Sequence, residues 1–259
     1  MKKTALYTTA FLVLATSCLR ETINITPSGR LETREYDFSN FTEVEIGSVA
    51  KVEFIQSDEA EYMIIEADDN MFPHLIIEQR GKRVRVRHEP ISTTRRTPTI
   101  NITVVYKDLR ELRLLGASKS NFCNDSGSLD DLKIDLSGAS KLTGNLHANK
   151  VEVTLSGASN FDGELHANQG HFSLSGASEM SLCGACASMV LRASGASSTH
   201  CFGLISEHLD ATISGASTCR HTVTDTLKVT LSGASTLIYD GSPTVLRSDV
   251  SGASSLRVR

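Results

Sequence analysis

The chain has 259 residues, a formal net charge of −4 and 40% apolar residues, enough length and apolar content for a large core. The mildly acidic balance argues against a nucleic-acid or anionic-membrane footprint. The absence of tryptophan and an aromatic content of only 5% leave few of the ring platforms that sugar-binding clefts use.

The N-terminus opens Met1-Lys2-Lys3, continues through a largely apolar run from Ala5 to Ala15 and reaches Ala15-Thr16-Ser17-Cys18. A basic start, a short apolar stretch and small residues before a cysteine describe a secretory signal over residues 1–17. The run is too short to span a bilayer as a permanent helix. Ala-Thr-Ser-Cys resembles a bacterial lipobox, although Leu14 sits one place earlier than the usual leucine. On that reading Cys18 is lipidated and anchors the protein to a membrane leaflet without spanning it. The competing reading is a plain signal peptide cleaved nearby. Residues 18–35 are polar, contain Pro27 and Gly29, and read as the lipidated N-terminus and a tether.

Residues 36–115 are β-patterned without a repeat. Val44 and Ile46, Val49, Val52 and Phe54, Met63 to Ile65, Leu75 to Ile77, Val84 and Val86, and Ile100, Ile102 and Val104 mark successive strands. Asp68-Asp69-Asn70-Met71-Phe72-Pro73 reads as a turn or one short helical turn. No Pro/Gly-rich linker separates this part from the C-terminal half, so the spacing predicts one continuous unit. In it, residues 36–115 form irregular coils or a cap at one end.

From residue 116 to 259 Gly-Ala-Ser recurs eight times, at Gly116, Gly138, Gly157, Gly176, Gly195, Gly215, Gly233 and Gly252. The steps are 22, 19, 19, 19, 20, 18 and 19 residues, and serine precedes every glycine but the first. A near-constant period without a helical pattern is the mark of stacked coils. Four residues after each glycine stand Ser120, Leu142, Phe161, Met180, Thr199, Cys219, Leu237 and Leu256, mostly apolar, as an inward column requires. Leu146, Ala148, Val151, Val153 and Leu155 alternate with polar residues, which means strands with one buried face. The glycines are the structural corners, where they supply backbone freedom that a residue with Cβ lacks. The fold class is therefore all-β: a single-stranded parallel β-helix, or β-solenoid, of about eight regular C-terminal coils preceded by irregular β coils or a cap. Eight layers about 4.8 Å apart make a rod of roughly 35–40 Å.

Chemistry-bearing residues are few. A polysaccharide lyase needs carboxylates gathered on one face and a base beside them. Asp162 and Glu164 share a parity, and Asp135 and Asp249 a register, but no acidic cluster forms. The pattern therefore predicts no catalytic residue and no cofactor. His147 and His166, with Asn149 and Asn168, share a register in adjacent coils without a third ligand, which reads as a surface ladder rather than a metal site. Cys183-Gly184-Ala185-Cys186 has the spacing of half a zinc site or a redox pair. By register Cys186, Cys201 and Cys219 fall on inward positions, where a thiol packs as a small apolar group. With Cys123 and Cys183, five cysteines remain beyond Cys18, so one at least is unpaired in a monomer. A link between neighbouring coils, such as Cys183 with Cys201, is left open.

The one basic concentration is Arg80 to His88 with Arg95 and Arg96. Arg83, Arg85 and Arg87 alternate with valines, share one strand face and form the candidate ligand patch for an acidic glycan or carboxylate. Glu43, Glu45, Glu53 and Glu66 are available to neutralise that face, which favours a salt-bridged surface.

The lipoprotein-type start, the segment Tyr36-Asp37-Phe38-Ser39-Asn40-Phe41-Thr42-Glu43-Val44-Glu45-Ile46 and the Ser-Gly-Ala-Ser coils together resemble a bacterial family. Further points of likeness are Asp69-Asn70, the Leu109–Leu115 entry into the coils, and Leu136-Ser137-Gly138-Ala139-Ser140-Lys141-Leu142-Thr143-Gly144. The family is the putative autotransporter adhesin, head GIN domain group, best represented in gut Bacteroidetes, and the resemblance covers nearly the whole mature chain. It implies a β-helix shaped like pectin lyases but without their catalytic residues, and a role in cell adhesion. Trimerisation follows from the same likeness, but neither a coiled-coil heptad nor a barrel segment is present to enforce it.

The resulting expectation is a non-enzymatic, lipid-anchored outer-membrane lipoprotein presenting a repetitive surface for adhesion or scaffolding. Which leaflet face it occupies is open, because Leu19-Arg20-Glu21-Thr22 lacks the acidic run associated with surface export in Bacteroidetes. Its partners would be host or bacterial surface glycans or proteins and the membrane through the anchor, not nucleic acid, with a homo-oligomer open. The alternatives are a carbohydrate-binding or polysaccharide-cleaving β-helix protein, or a periplasmic structural protein.

Overall fold

The computed structural model describes residues 23–93, 96–123 and 128–259. Cys18 and the signal segment lie outside the described residues, as does the side chain of Cys123. In chain order, β1 (Ile23–Ile25) and β2 (Leu31–Tyr36) precede β3 (Glu43–Ser48) and β4 (Lys51–Gln56). β5 (Tyr62–Asp68) leads through a 3-10 turn, Asp69–His74, into the hairpin of β6 (Leu75–Arg80) and β7 (Arg83–His88). β8 (Ile91–Thr93) and β9 (Ile100–Tyr106) come next, then β10 (Glu111–Gly116), β11 (Lys119–Cys123) and β12 (Leu129–Leu136). The regular coils are β13 (Lys141–Leu155), β14 (Asn160–Leu174), β15 (Glu179–Ala193), β16 (Ser198–Ile213) and β17 (Thr218–Leu231). β18 (Thr236–Asp240), β19 (Thr244–Val250) and β20 (Ser255–Val258) complete the stack.

Each regular coil is one bent strand of 14 to 16 residues closed by a Ser-Gly-Ala-Ser corner. Consecutive coils pair in parallel, residue over residue, in about eight turns from residue 111 onward. The inward column is the expected one: Leu142, Phe161, Met180, Thr199, Cys219 and Leu237 lie in register and are buried.

The corner explains its own sequence. The N–H of each alanine donates to the carbonyl of the preceding coil's glycine at 2.7–2.8 Å, from Ala139 onto Gly116 through Ala253 onto Gly233. For that carbonyl to point along the rod, the glycines take φ between +69° and +80°, the left-handed region. A Cβ on Gly157 would stand 2.5 Å from the carbonyl oxygen of Gly138. The second serine of the corner is buried, and its hydroxyl closes the turn: Ser140 donates to Ser137 O at 2.8 Å and Ser159 to Ser156 O at 2.7 Å. The first serine reaches back one coil, as Ser156 does to Leu136 O at 3.4 Å.

The N-terminal part is both coil and cap. β3 and β4 pair in parallel with β10 and β11, so Gly47-Ser48-Val49-Ala50 is a further corner beneath Gly116. β7 and β9 lay one more parallel layer outside it. Beyond that layer the direction reverses: β6 is antiparallel to β7, and β5 to β9. The 3-10 turn between them buries Met71 and Phe72 over the end of the core. Phe54, Tyr106 and Phe122 pack with ring centroids 5.4–6.4 Å apart where cap meets coils, which joins the two parts into one core. Residues 31–36, in the stretch read as a tether, form an antiparallel edge strand against β5, and 23–25 pair with β8. Their polar sequence fits a strand exposed on one face, which alternation of apolar residues does not reveal. At the other end β19 is exposed along its whole length.

Gly157→Ala is expected to lower stability by roughly 3 kcal/mol, combining left-handed backbone cost with the clash on Gly138. Gly81, in the β6–β7 turn at φ +59°, has open space around its Cβ position, so Gly81→Ala should cost only about 1 kcal/mol. Urea unfolding of both variants checks the difference; equal losses would show that the stacked carbonyl is not the constraint.

Candidate functional site

Arg83, Arg85 and Arg87 do share one face of β7, next to β3, which supplies the glutamates. Arg83 contacts Glu43 at 2.7 Å and Glu111 at 2.9 Å, and Arg85 contacts Glu45 at 2.8 Å. Glu111 also holds Arg113 at 2.7 Å, and Arg113 approaches Asp135 at 3.5 Å. Burial pushes the Glu111 carboxyl up, but Arg113 and Arg83 outweigh it and hold it below the ordinary carboxylate range. Of the three arginines only Arg87 has no ion pair among the described residues. The patch is thus a cross-strand ion network binding β7, β3, β10 and β12. Glu53 takes no part in it, and Glu66 instead accepts a hydrogen bond from Asn101 at 2.7 Å.

A more open face lies on the coils. His147 and His166 stack with ring centroids 5.0 Å apart, and Asn168 Nδ2 donates to Asn149 Oδ1 at 2.9 Å. His166 Nε2 lies 2.7 Å from Glu164, so that carboxylate is engaged. These side chains border a groove of about 470 Å³ whose floor is Ala148, Ala167 and Cys186. Among the described residues no three metal-ligating side chains converge. The groove presents imidazole faces, amides and a flat floor, chemistry suited to hydrogen bonding and stacking against a polar polymer.

Cys183, Cys186, Cys201 and Cys219 are free thiols. Cys183 is exposed and Cys186 buried, because residues three apart on a strand face opposite ways. The same opposition separates exposed Cys183 from buried Cys201, so the link between them left open by the sequence does not form. Burial pushes the thiols of Cys186 and Cys219 up to about 11 and that of Cys201 to about 12, which keeps them protonated and inert.

Comparison with protein families finds a match over residues 40–243 to the model described as putative auto-transporter adhesin, head GIN domain. The chain belongs to this family. Three crystal structures share its fold along nearly their whole length. A putative adhesin from Parabacteroides merdae is 19% identical with a TM-score of 0.79, covering 92% of this chain and 100% of its own. A putative lipid binding protein from Parabacteroides distasonis is 20% identical with a TM-score of 0.83, covering 91% and 99%. A putative adhesin from Bacteroides fragilis is 18% identical with a TM-score of 0.64, covering 91% and 100%. No functionally curated protein matches the sequence.

Within this adhesin-head fold two features escaped the sequence reading. Lys51, Lys119 and Lys141 stand in register beside a cleft of about 510 Å³, each directly after a corner. The lysine following Ala50, Ser118 and Ser140 was the available signal, hidden because the first corner lacks Gly-Ala-Ser. The other feature is His221, fully buried in the coil core, with Nε2 2.9 Å from Ser206 Oγ. It stands six residues after Gly215, as Cys201 stands six after Gly195, and that inward count would have located it.

Burial holds the His221 imidazole down at about 4, so it is neutral in the folded chain at pH 7. Unfolded, the ring takes a proton near its ordinary pKa of about 6.5. The unfolded state therefore binds more protons between those values, and stability falls as pH drops through that window, by about 3 kcal/mol. His221→Leu should remove this loss. Chemical unfolding of variant and wild type between about pH 7 and pH 4 checks it; parallel curves would contradict it.

Proposed function

We propose that this chain is a non-enzymatic envelope lipoprotein, lipidated at Cys18 and held at the outer membrane, whose solenoid makes adhesive or scaffolding contacts. The observation that carries this reading is the stacking of identical outward side chains in successive coils, His147 over His166 and Asn149 over Asn168, along an open groove. Contacts of that kind are individually weak and gain strength through repetition on a rigid frame. Membership of the adhesin-head family supports the same role. The N-terminal sequence supports the anchor, and among the described residues no helix is long and apolar enough to cross a membrane.

Carbohydrate binding is the second reading, favoured by the amide and imidazole lining of the groove. Cleavage of a polysaccharide would require a free carboxylate pair. Glu164, one of the two acidic residues on that strand, is held by His166 instead.

Protease shaving of intact cells, with detection before and after lysis, tests the placement. Loss of the protein from unbroken cells is the expected result. Protection until lysis would overturn surface adhesion and leave a periplasmic scaffold.

A further inference from the structure

The wall that comes after the corners carries a column of outward residues, one per layer: Asn101, Lys51, Lys119, Lys141, Asn160 and Glu179. Three successive layers in its middle hold lysine, exposed in each case. Like charges one layer apart repel, and a strand pair ordinarily avoids that arrangement. Arg83 and Arg85 of β7 instead have opposite charges in register, Glu43 and Glu45 in the next layer and Glu111 in the one after. The lysines have no such relief, since none of the three makes an ion pair among the described residues.

The space beside them is built to receive something. The cleft of about 510 Å³ runs across four layers and is lined by the three lysines together with Asn101, Thr103, Asn121 and Thr143. Glu53 is its one carboxylate, so the lining carries three positive charges against one negative, in a chain whose formal net charge is −4. A second hollow of about 280 Å³ shares Lys51, Lys119 and Asn101 and adds the exposed Val49. The lysines thus stand as a ridge with open space on both sides.

We propose that the Lys51–Lys119–Lys141 column binds an acidic polysaccharide lying along the rod, its carboxylate or sulfate groups each met by an ammonium one layer from the next. The amide and hydroxyl side chains of Asn121, Thr143 and Thr103, two residues along each strand from the lysine column, suit sugar hydroxyls. Val52 and Ile102 lie buried beneath the main cleft, so the side chains that face its space are the lysines, the amides and the hydroxyls. This assignment rests on the adhesive reading above and gives it a ligand class.

The test uses the purified full chain in detergent, titrated with polygalacturonate, dextran sulfate, uncharged dextran and the soluble lipid dihexanoyl-phosphatidylglycerol. Binding to at least one acidic polymer, none to dextran, and weakening as salt screens the contact are expected. Replacing all three lysines (K51Q, K119Q, K141Q) should weaken binding about tenfold. The pair K150Q and K228Q, elsewhere on the surface, should leave it unchanged. As a measure that needs no variant, the bound polymer should protect Lys51, Lys119 and Lys141 from acetylation but not Lys150 or Lys228. Indifference to both acidic polymers, equal binding by the triple variant, uniform protection, or preference for the lipid would each overturn the proposal. None of these outcomes bears on which side of the membrane the rod occupies, so the shaving experiment fails or succeeds separately.

Discussion

Everything regular in this molecule hangs on one hydrogen bond repeated seven times, from an alanine N–H to the glycine carbonyl of the coil before it. The bond fixes where each coil begins, and therefore which residues of the following strand point inward. It also explains why the seven corners stacked from Gly138 to Gly252 admit glycine alone: the left-handed backbone aims the carbonyl up the rod, and the stacked peptides leave no volume for Cβ. The buried serine closes the same turn from inside and satisfies a hydroxyl that would otherwise be costly to bury. With phase set there, the apolar columns need only be about the right size, and Leu142, Phe161, Met180 and Cys219 succeed one another in a single column.

A stack of this kind makes surface chemistry one-dimensional. Any outward position becomes a line of side chains one strand spacing apart, and the sequence decides whether that line is self-satisfied or left open. On β7 and β3 it is satisfied, because arginines and glutamates occupy matching positions. Along the coils it varies: imidazoles stack and amides pair, while lysines succeed lysines without a counter-charge among the described residues. Surface chemistry in such a molecule is arranged in columns rather than in a pocket assembled from distant loops.

The coils were legible because their period, their corners and their inward columns are all local in sequence. Asp68 to Pro73 was legible as a short helical turn for the same reason. The corner at Gly47–Ala50 was not, since Ser48 there lies beneath Gly116 and 68 residues separate it from that glycine. Its concealment hid the lysine column as well, because Lys51 cannot be aligned with Lys119 until both corners are known. The arginine face could be drawn from alternation alone. Its neutralisation depended on which strand lay alongside, and only β3 and β10, 28 to 40 residues away, settled that. Cys183 and Cys186 show how a motif misleads when read as a string: three residues along a strand reverse direction, so the two thiols never meet.

The regular coils do not all have the same length, and where the difference is absorbed says how such a rod can change. The step from Gly195 to Gly215 is 20 residues and the next is 18, yet both corners keep their hydrogen bonds. The surplus and the deficit appear instead as register shifts between Cys201 and His208, at the bend away from the corner. A single inserted residue at the bend is therefore a local bulge, whereas at the corner it would turn every later inward side chain out to solvent. Gain or loss of one entire coil lengthens or shortens the rod by a layer, about 4.8 Å, and disturbs neither the cap nor the far end. Length is thus a quantised trait of this fold, adjustable without redesigning anything but the count.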